Sequence, residues 1–194
     1  MPLRPVFVVT GPSGAGKGTL IKGLVERVQG LEVAVSATTR PQRPGEADGH
    51  DYWFLSDEEF TRRVETEEFL EWVSYVSGRR YGTLRCEIDR ITTDDQVCVL
   101  ELELEGALKV QEEVSGSVTI FIAADVDELE RRLRERATES TGEIGDRIRI
   151  AREQLERAHE FRYMVRNDDI ERATRALSAL VECELAHTAT MSRR

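Results

Sequence analysis

The 194-residue chain reads as an α/β protein with a parallel sheet flanked by helices, and three observations predict it. Short apolar runs alternate with stretches of helical periodicity along the length of the chain. The first apolar run, Val6-Phe7-Val8-Val9-Thr10, feeds directly into a glycine-rich turn that opens a helix. Between the second and third apolar runs of the core lies a Pro- and Gly-rich stretch, residues 36–52, followed by short alternating segments. That break reads as a small mixed α+β lobe inserted between core strands.

The turn is Gly11-Pro12-Ser13-Gly14-Ala15-Gly16-Lys17-Gly18-Thr19. Strand, glycine turn and helix in that order make the context of a phosphate-binding loop. Gly11, Gly14 and Gly16 let backbone N–H groups point inward around phosphate oxygens, with Ser13 and Ala15 between them. The helix opening at Lys17 adds its positive end, and Lys17 reaches terminal phosphates as a point charge. Only Lys17, Lys22 and Lys109 are lysines among 27 basic residues, so a lysine here stands out in an arginine-rich chain. The next position departs from the motif. A Ser or Thr hydroxyl would hold Mg²⁺ there, and the chain has Gly18. Either Thr19 takes over, or the metal is held through water and the substrate phosphates.

Composition narrows the function classes. The length suits one domain with a real core. A net charge of −10 argues against a nucleic-acid-binding surface, although local arginine clusters suit small anionic substrates. Cys86, Cys98 and Cys183 are odd in number and form no CxxC pair, which fits a reducing, cytoplasmic setting. His50, His159 and His187 are far apart and suggest no metal site. No apolar run reaches membrane-spanning length, and no membrane partner is expected.

In chain order, residues 6–10 predict a buried strand and 17–28 a helix with Leu20, Ile21, Leu24, Val25 and Val28 on one face. Gly30 ends that helix, and 31–35 predict a strand apolar enough to be central. Within the irregular 36–52 stretch, Arg40 and Arg43 either converge on one anion or are solvated loop arginines. Residues 52–55 predict a short strand, and Ser56 or Asp57 caps a helix to 67 with Phe60 and Val64 inward. Residues 69–76 and 80–83 alternate like strands, and 86–91 like a helix before a turn at Asp94-Asp95. The next core strand, 96–102, carries acids to its C-terminal end, where open parallel sheets bind ligands. Glu101 and Glu103 share one face there, as metal or substrate ligands or as a solvated strand end.

Helix 108–113 and strand 118–122 follow, and Asp127 caps helix 128–136 with its four arginines, Arg131, Arg132, Arg134 and Arg136. Residues 137–145 are polar with two glycines and read as a mobile segment before a helix carrying Arg147, Arg149 and Arg152. Arginines on both sides of a hinge fit a lid that closes over phosphates. Arg131, Arg134, Arg149 and Arg152 fit exposed Arg–Glu pairing better. A last strand at 163–165 leads through Asn167-Asp168-Asp169 into a closing helix to 185, and 187–194 read as a frayed tail. The closing helix can pack on the core or on a second copy of the chain, so a homo-oligomer stays open.

At Ser36-Ala37-Thr38-Thr39-Arg40-Pro41-x-Arg43-x-Gly45-Glu46-x-x-Gly49-x-Asp51-Tyr52 the chain closely resembles the guanylate kinases. The likeness continues through Glu71-Trp72, Tyr81-Gly82-Thr83, Glu105-Gly106-Ala107, the lid arginines and Val165-x-Asn167-Asp168-Asp169. It implies a P-loop NTPase-type core (5–36, 84–130 and 150–186), a nucleoside-monophosphate-binding lobe (37–83) and a helical lid (131–149). It also implies transfer of the γ-phosphoryl of ATP to GMP, with Mg²⁺. By family pattern Ser36 and Glu71 read guanine, and Arg40, Arg43, Tyr52 and Tyr81 hold the GMP phosphate, beside Gly82, Thr83 and Glu103. Lys17, Arg132, Arg136 and Arg147 surround the transferring phosphoryl, and Asn167 lies near adenine. Guanine offers N1–H and N2–H donors beside an O6 acceptor, which a carboxylate and a hydroxyl can match. Two competing readings share parts of this pattern: a sugar-phosphate kinase and a non-catalytic guanylate-kinase-like binding module.

The chain departs from the pattern at Glu103 (usually Asp), Glu105 (usually Gln), Ala137 (usually Gly) and Arg79 (often Asn). The extra methylene of Glu103 is expected to alter the KM for GMP. Steady-state kinetics of Glu103→Asp test this, and unchanged KM and kcat would remove position 103 from consideration.

Overall fold

The computed structural model describes residues 5–75, 78–135 and 141–191. Its core is a five-stranded parallel sheet in the order β2-β7-β1-β8-β9. The central strands are β1 (Phe7–Thr10), β7 (Val97–Glu101) and β8 (Val118–Ala123). They are buried along almost their whole length, as near-continuous apolar runs in a parallel sheet covered on both faces must be. Side chains alternate between the two faces: Phe7 and Val9 join one apolar cluster, Val6 and Val8 the other. Helices α1 (Lys17–Arg27) and α7 (Ile170–Met191) pack together over the first cluster through Leu20, Leu24, Leu177 and Val181. Helices α3 (Arg85–Thr93) and α4 (Leu104–Glu113) cover the second through Ile91, Ala107 and Val110.

The smaller sheet runs β4-β3-β6-β5. It comprises β3 (Ala37–Thr38), β4 (Trp53–Phe54), β5 (Phe69–Ser74) and β6 (Arg80–Leu84). Helix α2 (Asp57–Glu65) packs on it through Phe60, which stacks on Phe69 at 4.3 Å between centroids. Ser56 caps α2, its Oγ accepting the Glu59 N–H at 3.1 Å, and three acids fill the first turn. Helices α5 (Val126–Glu135) and α6 (Thr141–Glu156) form the remaining arm. A 3-10 turn at Arg157–Glu160 then leads to β9 (Tyr163–Arg166).

Five sequence expectations change. The strand expected to be central, β2 (Leu31–Val33), is an edge strand pairing only with β7. Its Glu32 stays half-exposed and binds Arg90 at 2.6 Å, which a two-sided strand would not allow. Residues 37 and 38 form β3 inside the stretch read as irregular, because two residues are too few to show a period. Helix α4 starts at Leu104 rather than 108, with Glu103 at its N-cap. Residues 141–145, read as part of a mobile segment, already belong to α6, while 137–140 lie outside the described residues. The tail expected from 187 is helical to Met191, with the Thr188 and Thr190 hydroxyls bonding back to Glu184 and Ala186 carbonyls at 2.9 Å.

Gly11 has a φ of +142°, and a Cβ there would lie 2.2 Å from the Ile122 carbonyl oxygen of β8. Gly11→Ala should therefore cost at least about 2 kcal/mol in urea unfolding, since both the backbone conformation and the space exclude a side chain.

Candidate active site

The glycine turn wraps the C-terminal end of β1 and opens α1. Gly14 and Gly16 both adopt φ of +85°, and Gly16 is the left-handed N-cap of a helix with no acid in its first turn. The first-turn N–H groups of α1 therefore have no acid of their own turn to cap them, as suits an anion-binding helix end. Lys17 Nζ donates to the Gly11 carbonyl at 2.7 Å, which holds the ammonium over the loop. From behind, buried Asn167 donates from Nδ2 to the Ala15 carbonyl at 2.7 Å. A Cβ on Gly16 would come within 2.5 Å of that Nδ2, so the contact needs glycine. Arg132, fixed by Glu128 at 2.7 Å, leans over the loop with Nη1 3.3 Å from the Gly14 carbonyl and Nη2 3.4 Å from the Asn167 carbonyl.

The loop borders a cleft of about 650 Å³ between the two sheets. Of the residues singled out from sequence, the core brings Ser13, Lys17 and Glu103 to it. The smaller lobe brings Ser36, Arg43, Tyr52, Glu71, Tyr81 and Gly82, and α6 brings Arg147. Thr83 pairs with Glu71 across β5 and β6, and Arg40 stacks on the Tyr52 ring; neither lines the cleft itself. Thr19 is exposed on α1 and does not line the cleft. Arg136 and Ala137 lie outside the described residues. Three of the four arginines expected to pair on the surface do so: Arg131 with Glu128, Arg134 with Glu130, and Arg149 with Glu153.

Glu71 is the most unusual group in the wall. It is 4 % exposed on β5, opposite Thr83 of β6. Desolvation pushes its carboxyl up, opposed by bonds from the Thr83 hydroxyl and N–H and by the more distant charge of Lys109. Room for it comes from Gly106 in the first turn of α4, where a Cβ would stand 2.5 Å from Glu71 Oε2. Sequence reasoning missed that role, although a glycine in a helix is costly enough to ask for a packing reason.

The other end of the cleft is aromatic and cationic. Tyr81 lies edge-on to both Tyr52 at 6.0 Å and Tyr75 at 5.4 Å. Tyr75, also missed, is 42 % exposed at the cleft, and the protein crowding its hydroxyl, then Glu103, push it up. Arg40, 5 % exposed, lies 5.1 Å over the Tyr52 ring, and Glu46 takes its guanidinium fork in two bonds of 2.8 Å. Glu46 also accepts the Arg43 N–H at 2.8 Å, so one carboxylate sets the position of both arginines. Its carboxyl is held down to about 2, chiefly by Arg40. Arg43 and Arg79 line the cleft themselves.

Between the two ends stand Glu101 and Glu103. Glu101 touches the water of the cleft yet is walled by protein, and desolvation pushes its carboxyl up while Lys17 pulls it down. Its oxygens lie 3.5 and 3.9 Å from where a Gly18 Cβ would be, so the space a Ser or Thr would occupy faces a carboxylate. Among the described residues no group of three or more His, Cys, Asp or Glu converges to hold a metal.

Because the folded-state pKa of Glu71 is raised, the linkage has a definite sign. Below the ordinary carboxylate pKa the group is protonated in both states and contributes nothing. As pH rises from the ordinary carboxylate pKa towards the raised folded one, the unfolded chain ionises first and the folded state is progressively penalised; above the folded pKa the penalty is constant. Glu71→Gln should therefore keep or raise the melting temperature of the ligand-free protein at pH 7. The same change should weaken binding of GMP, the substrate that the guanylate kinase resemblance implies, at least about 100-fold. Differential scanning fluorimetry and calorimetric titration read the two effects separately.

Comparison with known proteins agrees with this geometry. The guanylate kinase family model matches residues 3–184. A guanylate kinase from Caldanaerobacter subterraneus subsp. tengcongensis is 42 % identical over 92 % of this chain and 87 % of its own. One from Rubrobacter xylanophilus is 46 % identical over 87 % of this chain and 88 % of its own. The crystal structure of guanylate kinase from Anaplasma phagocytophilum superposes with a TM-score of 0.74 at 26 % identity, over 95 % of this chain and 88 % of that one. Shikimate kinase from Bacteroides thetaiotaomicron, at TM-score 0.50 and 17 % identity over 93 % of this chain and 99 % of its own, shares the fold alone. A phosphate loop facing a buried carboxylate across one cleft, in a chain matched almost end to end by the family model, places this protein in the guanylate kinase family.

Proposed function

We propose that the protein transfers the γ-phosphoryl group of ATP to GMP, and to dGMP, giving GDP or dGDP and ADP. The observation that carries this reading is the pairing, in one cleft, of the 11–19 phosphate loop with the buried carboxylate of Glu71 beside Ser36. ATP occupies the loop, with its phosphates on the N–H groups of α1 and on Lys17. GMP occupies the lobe. Glu71 accepts guanine N1–H and N2–H, and Ser36 donates to O6. Arg43, Tyr52 and Tyr81 receive the GMP phosphate, with Arg40 held behind them by Glu46.

The reaction breaks the bond from Pγ to the bridging oxygen of ADP and forms one from Pγ to a GMP phosphate oxygen. That oxygen is already anionic, so positioning and charge stabilisation suffice and no covalent nucleophile is needed. Lys17, Arg132 and Arg147 supply positive charge around the transfer point, with Arg136 as a further candidate. Mg²⁺ fits the residues present: Glu101, in front of Gly18, would hold it through water together with the substrate phosphates. When bound it neutralises charge on the phosphates. Residues Ile150, Ala151 and Gln154 of α6 line the cleft beside Arg147 and help keep water from the phosphoryl group. No helix of the described residues is long and apolar enough to cross a membrane, and we place the activity in the cytoplasm, in purine nucleotide metabolism.

A sugar phosphate has no base edge and would leave Glu71 unpaired in its dry wall. A coupled assay for ADP release should show turnover with GMP and dGMP, and at least about 1,000-fold lower kcat/KM with AMP. Comparable rates with AMP, or turnover only with a sugar phosphate, would overturn the reading.

A further inference from the structure

Glu87 has no place in the cleft, yet it is a carboxylate only 3 % exposed. Burial of such a group is costly unless it is fully paired. It lies in the first turn of α3, and four donors converge on it. The Val35 N–H reaches Oε2 at 3.0 Å and the Trp53 indole N–H reaches Oε1 at 3.3 Å. Arg90 adds Nη2 at 3.1 Å and Nε at 3.4 Å, and its Nη1 continues to Glu32 of β2 at 2.6 Å. Desolvation alone would push this carboxyl up, but Arg90, the Val35 N–H and the Trp53 indole together hold it below the ordinary carboxylate range.

The positions of these partners matter more than their number. The chain enters the smaller lobe once, from β2 through residues 34–36, and leaves it once, from β6 into α3. Val35 lies on the way in, Glu87 on the way out, and Trp53 in the lobe strand β4. Val35 precedes Ser36, both line the cleft, and the Ser36 carbonyl accepts the Trp53 backbone N–H at 2.9 Å. One carboxylate therefore ties both crossings and the lobe to the core, one residue from the hydroxyl placed against guanine.

We infer that Glu87 is a positioning residue for the nucleoside monophosphate: it clasps the hinge so that Ser36 and the lobe meet the base without a search. The inference rests on the proposed GMP site. Loss of the clasp leaves the phosphate loop untouched and lets the lobe swing, so the cost falls on GMP capture rather than on ATP binding or on the step itself.

Two variants test it. Glu87→Gln keeps the shape and one acceptor oxygen but removes the charge. Trp53→Phe removes only the lobe-side donor and leaves the Val35 and Arg90 bonds in place, so it carries the test even where the first variant folds poorly. Each should raise the KM for GMP about 5- to 30-fold, while the KM for ATP and the kcat at saturating GMP stay within about twofold. Unchanged KM for GMP in the folded Trp53→Phe protein, or parallel losses in kcat and in both KM values, would overturn the inference. Wild-type protein that fails to turn over GMP would instead overturn the functional reading, whatever the variants do.

Discussion

The structure depends on how closely the 11–16 loop approaches the ends of β8 and β9. To bind phosphate, the loop must turn its N–H groups outward, which leaves its carbonyls to be satisfied from within. Lys17 takes the Gly11 carbonyl, Asn167 the Ala15 carbonyl, and Arg132 approaches that of Gly14. At Gly11 and Gly16 the approach leaves no room even for a methyl group. The parallel sheet, the α1–α7 packing and the turn after β9 are what hold those partners in place.

The other half of the cleft obeys the opposite electrostatic rule. Around the loop, positive ends of dipoles and side chains gather where anions bind. On the lobe side of the cleft a carboxylate is kept largely out of water, with Thr83 and the space at Gly106 fitting its oxygens. Such a group gives selectivity through the cost of leaving it unpaired. Farther along, Glu46 spends its charge on Arg40, and the planar guanidinium is locked over Tyr52 before any phosphate arrives. Preorganisation of this kind moves the ordering cost from binding to folding.

Much of this was legible in the sequence, for identifiable reasons. The phosphate loop reads directly because its chemistry is local: strand, glycines, lysine and helix are contiguous. The central strands β1, β7 and β8 read directly because they are apolar at nearly every position. Edge position was not legible for β2, whose apolar run resembles that of a central strand; only its pairing and Glu32 distinguish it. The two residues of β3 carry no period, and the start of α4 looks like a turn because Glu103 faces the cleft, Gly106 leaves room for Glu71 and Glu105 pairs with Arg157, so none of them shows a helical apolar face. Gly106 and Glu87 escaped assignment because their roles lie in empty space beside another side chain or in partners far along the chain, and Glu46 because its nearby partners Arg40 and Arg43 sit in an irregular loop with no period. Spacing cannot show either.

The dry carboxylate on β5 also ties the protein's persistence to its surroundings. In an empty lobe the Thr83 bonds offset only part of the desolvation of this carboxylate, and a ligand that donates to it offsets more. Ligand that binds only the folded form adds stability in proportion to the logarithm of its concentration. Exposure of the lobe to proteases and chaperones therefore rises when the monophosphate pool is drained and falls when it is replete. The burial of one side chain thus makes the ligand-filled form the more persistent one.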